Sequence, residues 1–90
     1  MPIRRATIAA AVGLHARPAS LFVKSAQATG IPVLIGRTSG EKVNAHSILA
    51  VMALGVKQGE EVELAAEGEG ADAALDALAA MLASDLDQEV

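Results

Sequence analysis

The chain has no cysteine, no tryptophan and no tyrosine, and Phe22 is its one aromatic residue. Without cysteine there is neither a disulfide framework nor a thiolate metal site. A single phenylalanine leaves almost nothing on which nucleic-acid bases could stack. Positive charge is scarce as well. Lys and Arg total 7 against 11 Asp and Glu, a formal net charge of −4, which is the wrong sign for a general nucleic-acid binder. No apolar run approaches the roughly 18 to 20 residues of a membrane-spanning helix, and no apolar stretch with a cleavage site follows Arg4 and Arg5. These absences lead us to expect a cytoplasmic protein with no direct membrane insertion.

What the sequence does contain is a high hydrophobic fraction, 52% over 90 residues. That length makes one small domain, residues 1–90, with an aliphatic core. At this size about 60% of the unfolded surface is buried. Ile3 to Ala9 reads as a strand, with Ile8 and either Ile3 or Ala6 facing the core. A helix from about Arg17 to Thr29 repeats Ala19, Phe22, Val23 and Ala26 on one stripe, with Arg17, Ser20, Lys24 and Gln27 opposite. Gly30 and Pro32 stop it. Ile31–Ile35 and Glu41–Val43 read as strands around a hairpin turn at Arg37-Thr38-Ser39-Gly40. Ser47 suits the N-cap of a second helix, Ile48 to Leu54, which has no polar residue and ends at Gly55. Val62, Leu64 and Ala66 alternate with Glu61, Glu63 and Ala65 as a half-buried strand. Leu75, Leu78, Ala79, Leu82 and Leu86 stripe a last helix from about Asp72 to Leu86, and Asp85 to Val90 is an acidic tail. The order β-α-β-β-α-β-α describes a two-layer α+β domain, helices packed on one face of an antiparallel sheet.

Chemistry concentrates in Gly13-Leu14-His15-Ala16-Arg17-Pro18-Ala19-Ser20. Gly13 permits a sharp turn, and Pro18 suits a first helical turn, where no backbone N–H is needed. His15 therefore stands at a helix start, with Arg17 two residues on. A helix start carries about +0.5 elementary charge and unpaired N–H donors, which attract anions. Arg17 adds a planar cationic fork that matches phosphate oxygens, and an imidazole is a nitrogen nucleophile available near neutral pH. The combination points to His15 as a phosphoryl acceptor.

Two other readings share the features. One is a small phosphate-handling hydrolase of the acylphosphatase kind, with Asn44 helping an arginine cradle phosphate; it predicts turnover of acetyl phosphate. The other is a module that senses an anion at the helix start, binding sulfate or phosphate without a covalent adduct.

The octapeptide resembles the active-centre motif of HPr, the histidine phosphocarrier family of the bacterial phosphoenolpyruvate:sugar phosphotransferase system. Lys42-Val43-Asn44-Ala45-His46-Ser47-Ile48-Leu49-Ala50-Val51-Met52-Ala53-Leu54-Gly55 is similar to the second motif of that family. The likeness covers nearly the whole chain. It implies an HPr-like open-faced β-sandwich, βαββαβα, with a four-stranded antiparallel sheet and three helices on one face. It also implies a carrier rather than an enzyme. His15 would take a phosphoryl group on Nδ1 from enzyme I, itself charged from phosphoenolpyruvate, and pass it to the IIA domains of sugar permeases. Arg17 would stabilise the group, with the backbone amides of Ala16 and Arg17 behind it. Ser47 matches a regulatory serine that an HPr serine kinase/phosphorylase modifies in some lineages.

We expect docking on Ser20, Leu21 and Lys24 of the first helix and Ile48, Leu49 and Met52 of the second. We expect a monomer with no cofactor and no metal, since no ligand spacing links His15 and His46. Val12 departs from the family pattern, in which a polar side chain is common. His46 is read as a surface imidazole, the alternative being an influence on kinase recognition.

Overall fold

The same periodicities organise the computed structural model, which describes residues 1–84. The elements are β1 (Ile3–Thr7), α1 (Ala16–Ala28), β2 (Val33–Arg37), β3 (Lys42–Asn44), α2 (Ile48–Ala53), β4 (Glu61–Ala66) and α3 (Ala71–Ala83). The expectations for Leu86 and for the acidic tail 85–90 lie outside the described residues. The four strands form one antiparallel sheet in the order β1-β4-β2-β3. This is the expected open-faced sandwich.

Each helix presents the apolar stripe its sequence contains. Pro18, Ala19, Phe22, Val23 and Ala26 of α1 are buried, as are Leu75, Leu78 and Leu82 of α3. They meet Val33, Ile35, Val62, Leu64 and Ala66 of the sheet in one continuous cluster. In β1 the inward pair is Ala6 and Ile8, whereas Ile3 is exposed. Ile8 lies beyond the strand proper, which ends at Thr7, yet stays extended by exchanging hydrogen bonds with Glu60 O and Gly59 N, both at 2.9 Å. Arg4 donates to Asp76 at 2.6 Å and to Asp72 at 3.0 Å, linking β1 to α3 at the surface.

β4 corrects one expectation. It is not half buried: Ala65 is covered too, and Glu63 is only 7% exposed. The cause is position. β4 lies between β1 and β2, so neighbouring side chains cover its outer face. Lys42 Nζ and Arg5 Nε approach the Glu63 carboxylate at 2.7 and 3.1 Å. These hydrogen bonds, that from Lys42 first, hold the Glu63 carboxyl below the usual carboxylate range. Such a group contributes stability above the unfolded pKa, about 4.3, and the contribution is lost as pH falls through the folded value. We therefore expect the urea midpoint to drop below about pH 4, and Glu63→Gln to flatten that drop. An unchanged acid slope in the variant would show that the Glu63 pairing contributes nothing.

Candidate functional site

His15 is placed by the residues before it. Gly13 has φ +72°, and a Cβ there would come within 2.4 Å of Val56 O and 2.8 Å of Lys57 Cα. Only bare backbone fits between the two segments. Gly13 N–H closes a turn on Ala10 O at 2.9 Å, and Leu14 N–H donates to Val56 O at 3.0 Å. The Leu14 side chain is buried. The chain is thus pinned immediately before His15, which is exposed and extended (φ −141°, ψ 156°) as the N-cap of α1. Its side chain caps nothing. Serine, threonine or aspartate at this position would turn its oxygen onto the helix amides; the imidazole makes no such bond.

Ala16 follows with φ +51°, the one non-glycine positive φ among the described residues. An L-residue in this region costs about 1–2 kcal/mol, and such strain concentrates where a site is held in a working geometry. No sequence signal marks it, because alanine carries no preference for this conformation. Arg17 is exposed in the first turn, and buried Pro18 and Ala19 anchor the turn to the core. The helix starts at Ala16, one residue before the expected Arg17.

The structure packs α1 against α2. Gln27 Nε2 donates to His46 O at 2.9 Å across this junction. Ser47 is the N-cap of α2, its hydroxyl accepting Ala50 N–H at 3.2 Å, as the sequence led us to expect. Leu49 is 79% exposed and Ile48 38% exposed, while Lys24 lies exposed on α1. Ser20, Leu21 and Met52 are half buried, and Met52 packs against the core. The apolar patch therefore centres on Leu49, with Met52 at its base.

One sequence reading changes. His46 is more than a surface imidazole: it is half buried, with Nε2 2.9 Å from Ile31 O, and its backbone N–H donates to Asn44 Oδ1 at 2.9 Å. Asn44 thereby serves the turn before α2. Val12 stands 50% exposed, in a turn closed by the backbone bond from Gly13 N–H to Ala10 O. Among the described residues no group of three or more His, Asp or Glu is placed to hold a metal ion. No helix there is long and apolar enough to cross a membrane.

Residues 3–84 match the family model described as the PTS HPr component phosphorylation site. The chain belongs to the HPr family. It is 52% identical over 88 residues to the phosphocarrier protein HPr of Streptomyces coelicolor, covering 98% of this chain and 95% of that protein. The structure of HPr-C-His from Thermoanaerobacter tengcongensis superimposes with a TM-score of 0.88 at 39% identity, over 100% of both chains. An HPr dimer from the same organism gives a TM-score of 0.63 at 47% identity, over 73% of this chain and 75% of that one. HPr is a phosphocarrier of the phosphotransferase system and not a catalytic enzyme, which removes the hydrolase reading.

Proposed function

We propose that His15 Nδ1 accepts a phosphoryl group from enzyme I, charged by phosphoenolpyruvate, and gives it to IIA domains of sugar permeases. The observation that carries this reading is an exposed imidazole at the N-cap of α1 that makes no cap hydrogen bond. With the ring proton on Nε2, the Nδ1 lone pair attacks phosphorus, and the N–P bond forms as the donor's bond to phosphorus breaks. The transferring group spreads negative charge over its equatorial oxygens. The Arg17 guanidinium, the Ala16 and Arg17 amides and the helix dipole stabilise that charge. One arginine plus amides suits a carrier: a ground state held too tightly would not release its cargo.

Transfer in both directions needs a surface that two partners can use in turn. We assign it to Ser20, Leu21, Lys24, Ile48, Leu49 and Met52, in a cytoplasmic monomer that needs no cofactor. Lys24 and Arg17 would meet acidic partner surfaces despite the net negative charge of the chain. Leu49→Asp should weaken enzyme I binding at least about tenfold with little change in Tm. It tests docking more cleanly than Met52→Asp, which would also disturb the core. Unchanged affinity in Leu49→Asp would remove α2 from the docking surface.

A phosphate on Ser47 would add about −1.5 to −2 charges beside this apolar patch. Through an HPr serine kinase/phosphorylase, that charge would weaken docking of an acidic partner. The main test is incubation with enzyme I and phosphoenolpyruvate, followed by intact mass and acid-lability measurement. The reading expects one acid-labile phosphoryl group. Phosphate binding without an adduct would favour the anion sensor instead.

A further inference from the structure

The loop that carries His15 rests on a second loop whose two ends are both bound by one arginine of β2. Arg37 closes β2 directly opposite buried Val62 of β4, so its side chain leaves the sheet on the helix side. Its Nη1 donates to Leu54 O at 2.6 Å and its Nη2 to Gly55 O at 3.1 Å, at the C-terminal end of α2. The same guanidinium reaches Glu60, with Nε on Oε1 at 2.9 Å and Nη2 on Oε2 at 3.3 Å. Glu60 Oε2 also accepts Lys57 N–H at 2.7 Å. One planar fork therefore sets the spacing between both ends of the segment 54–60.

That segment is the bed of the phosphorylation loop. Val56 O takes Leu14 N–H at 3.0 Å and occupies the space that a Cβ on Gly13 would need. At the other end of the loop, Gly59 N–H donates to Ile8 O and Ile8 N–H to Glu60 O, both at 2.9 Å. Gln58 Nε2 adds a bond to Ala9 O at 3.1 Å. The backbone is thus held on both sides of the turn that delivers His15. No side chain of this network need touch the phosphoryl group.

We propose that Arg37 and Glu60 are positioning residues for His15: their ion pair fixes the segment 54–60, and Val56 O passes that fixed geometry to Leu14 and the imidazole after it. The inference rests on His15 being the phosphoryl acceptor. An exposed or half-exposed ion pair contributes little to global stability. A displacement near 1 Å at a reacting atom, by contrast, can cost about 10²-fold in rate. The effect of the pair is therefore local, and lysine cannot replace it, since an ammonium lacks the planar fork that serves four acceptors.

The test compares Arg37→Met and Glu60→Gln with wild type, using Arg4→Gln as a matched loss of an ion pair elsewhere. Amide hydrogen exchange is read at Leu14 and at Ala45, whose N–H bonds Val33 O at 2.9 Å in a separate loop. Phosphorylation by enzyme I and phosphoenolpyruvate is read as turnover and KM. We expect Leu14 exchange to quicken at least about tenfold in both variants, with Ala45 unchanged. Turnover should fall about fivefold to tenfold at unaltered KM, and Arg4→Gln should show neither effect. Should Arg37→Met not fold, Glu60→Gln, which keeps the shape and an acceptor for Lys57 N–H, decides the matter. Equal acceleration at Leu14 and Ala45, or undiminished turnover with a wild-type Leu14 amide, would overturn the proposal. A wild-type protein that takes no phosphoryl group would instead overturn the reading of His15, and the exchange data alone would then decide the clamp.

Discussion

His15→Ala should take no phosphoryl group from enzyme I and phosphoenolpyruvate, a loss of at least about 10³-fold in transfer rate, because the attacking atom itself is removed. The fold should be untouched. His15 is exposed and caps nothing, so its truncation removes neither packing nor a helix-end hydrogen bond, and we expect a stability change within about 0.5 kcal/mol. Arg17→Ala should behave differently. It leaves the nucleophile and removes charge stabilisation, so an adduct should form slowly rather than not at all. Intact mass after timed quenching separates the two variants. An adduct that survives in His15→Ala would place the acceptor elsewhere and dissolve the role given to the first turn of α1.

Phe22→Ala should produce the largest loss of stability of any single truncation in the chain, about 3–5 kcal/mol. Phe22 is the sole aromatic and heads the fully buried side chains by volume. It joins α1 to the sheet in a core otherwise made of aliphatic residues. Domains of this kind carry about 5–15 kcal/mol in all, so the variant would lose roughly a fifth of its stability or more. At about 4–8 °C per kcal/mol for a domain this small, Tm should fall by well over 10 °C. Leu21→Ala, one residue away on the half-buried side of α1, should cost far less. Calorimetry of the pair checks the contrast, and similar Tm values for both would mean that α1 is not held by Phe22.

The stripe containing Phe22 was legible in the sequence because helical periodicity depends only on residues three and four apart. The N-cap role of Ser47 and the hairpin turn at Gly40 were legible for the same reason: their chemistry is local. β4 was misjudged because alternation shows which residues point each way but not what covers them. The cover on Glu63 comes from Arg5 and Lys42, on strands remote in sequence. His46 was undervalued for the same reason, since its partner is the carbonyl of Ile31, fifteen residues away.

The candidate site divides along the same line. His15, Arg17 and the helix start lie within a few residues and could be argued from charge and turn chemistry alone. The left-handed Ala16 and the Arg37–Glu60 clamp could not. The first is imposed on a residue with no preference for it. The second joins residues 23 apart, and each of them reads in isolation as an ordinary surface charge.

The central claim is that one nitrogen of His15 carries the phosphoryl group. It is tested most directly by phosphorylating uniformly 15N-labelled protein with enzyme I and phosphoenolpyruvate and recording phosphorus–nitrogen coupling by NMR. The account predicts a single phosphorus signal coupled to Nδ1 of His15, with His46 unmodified. Coupling to Nε2, to His46, or a signal in a hydroxyl ester at Ser47 under these conditions would contradict it.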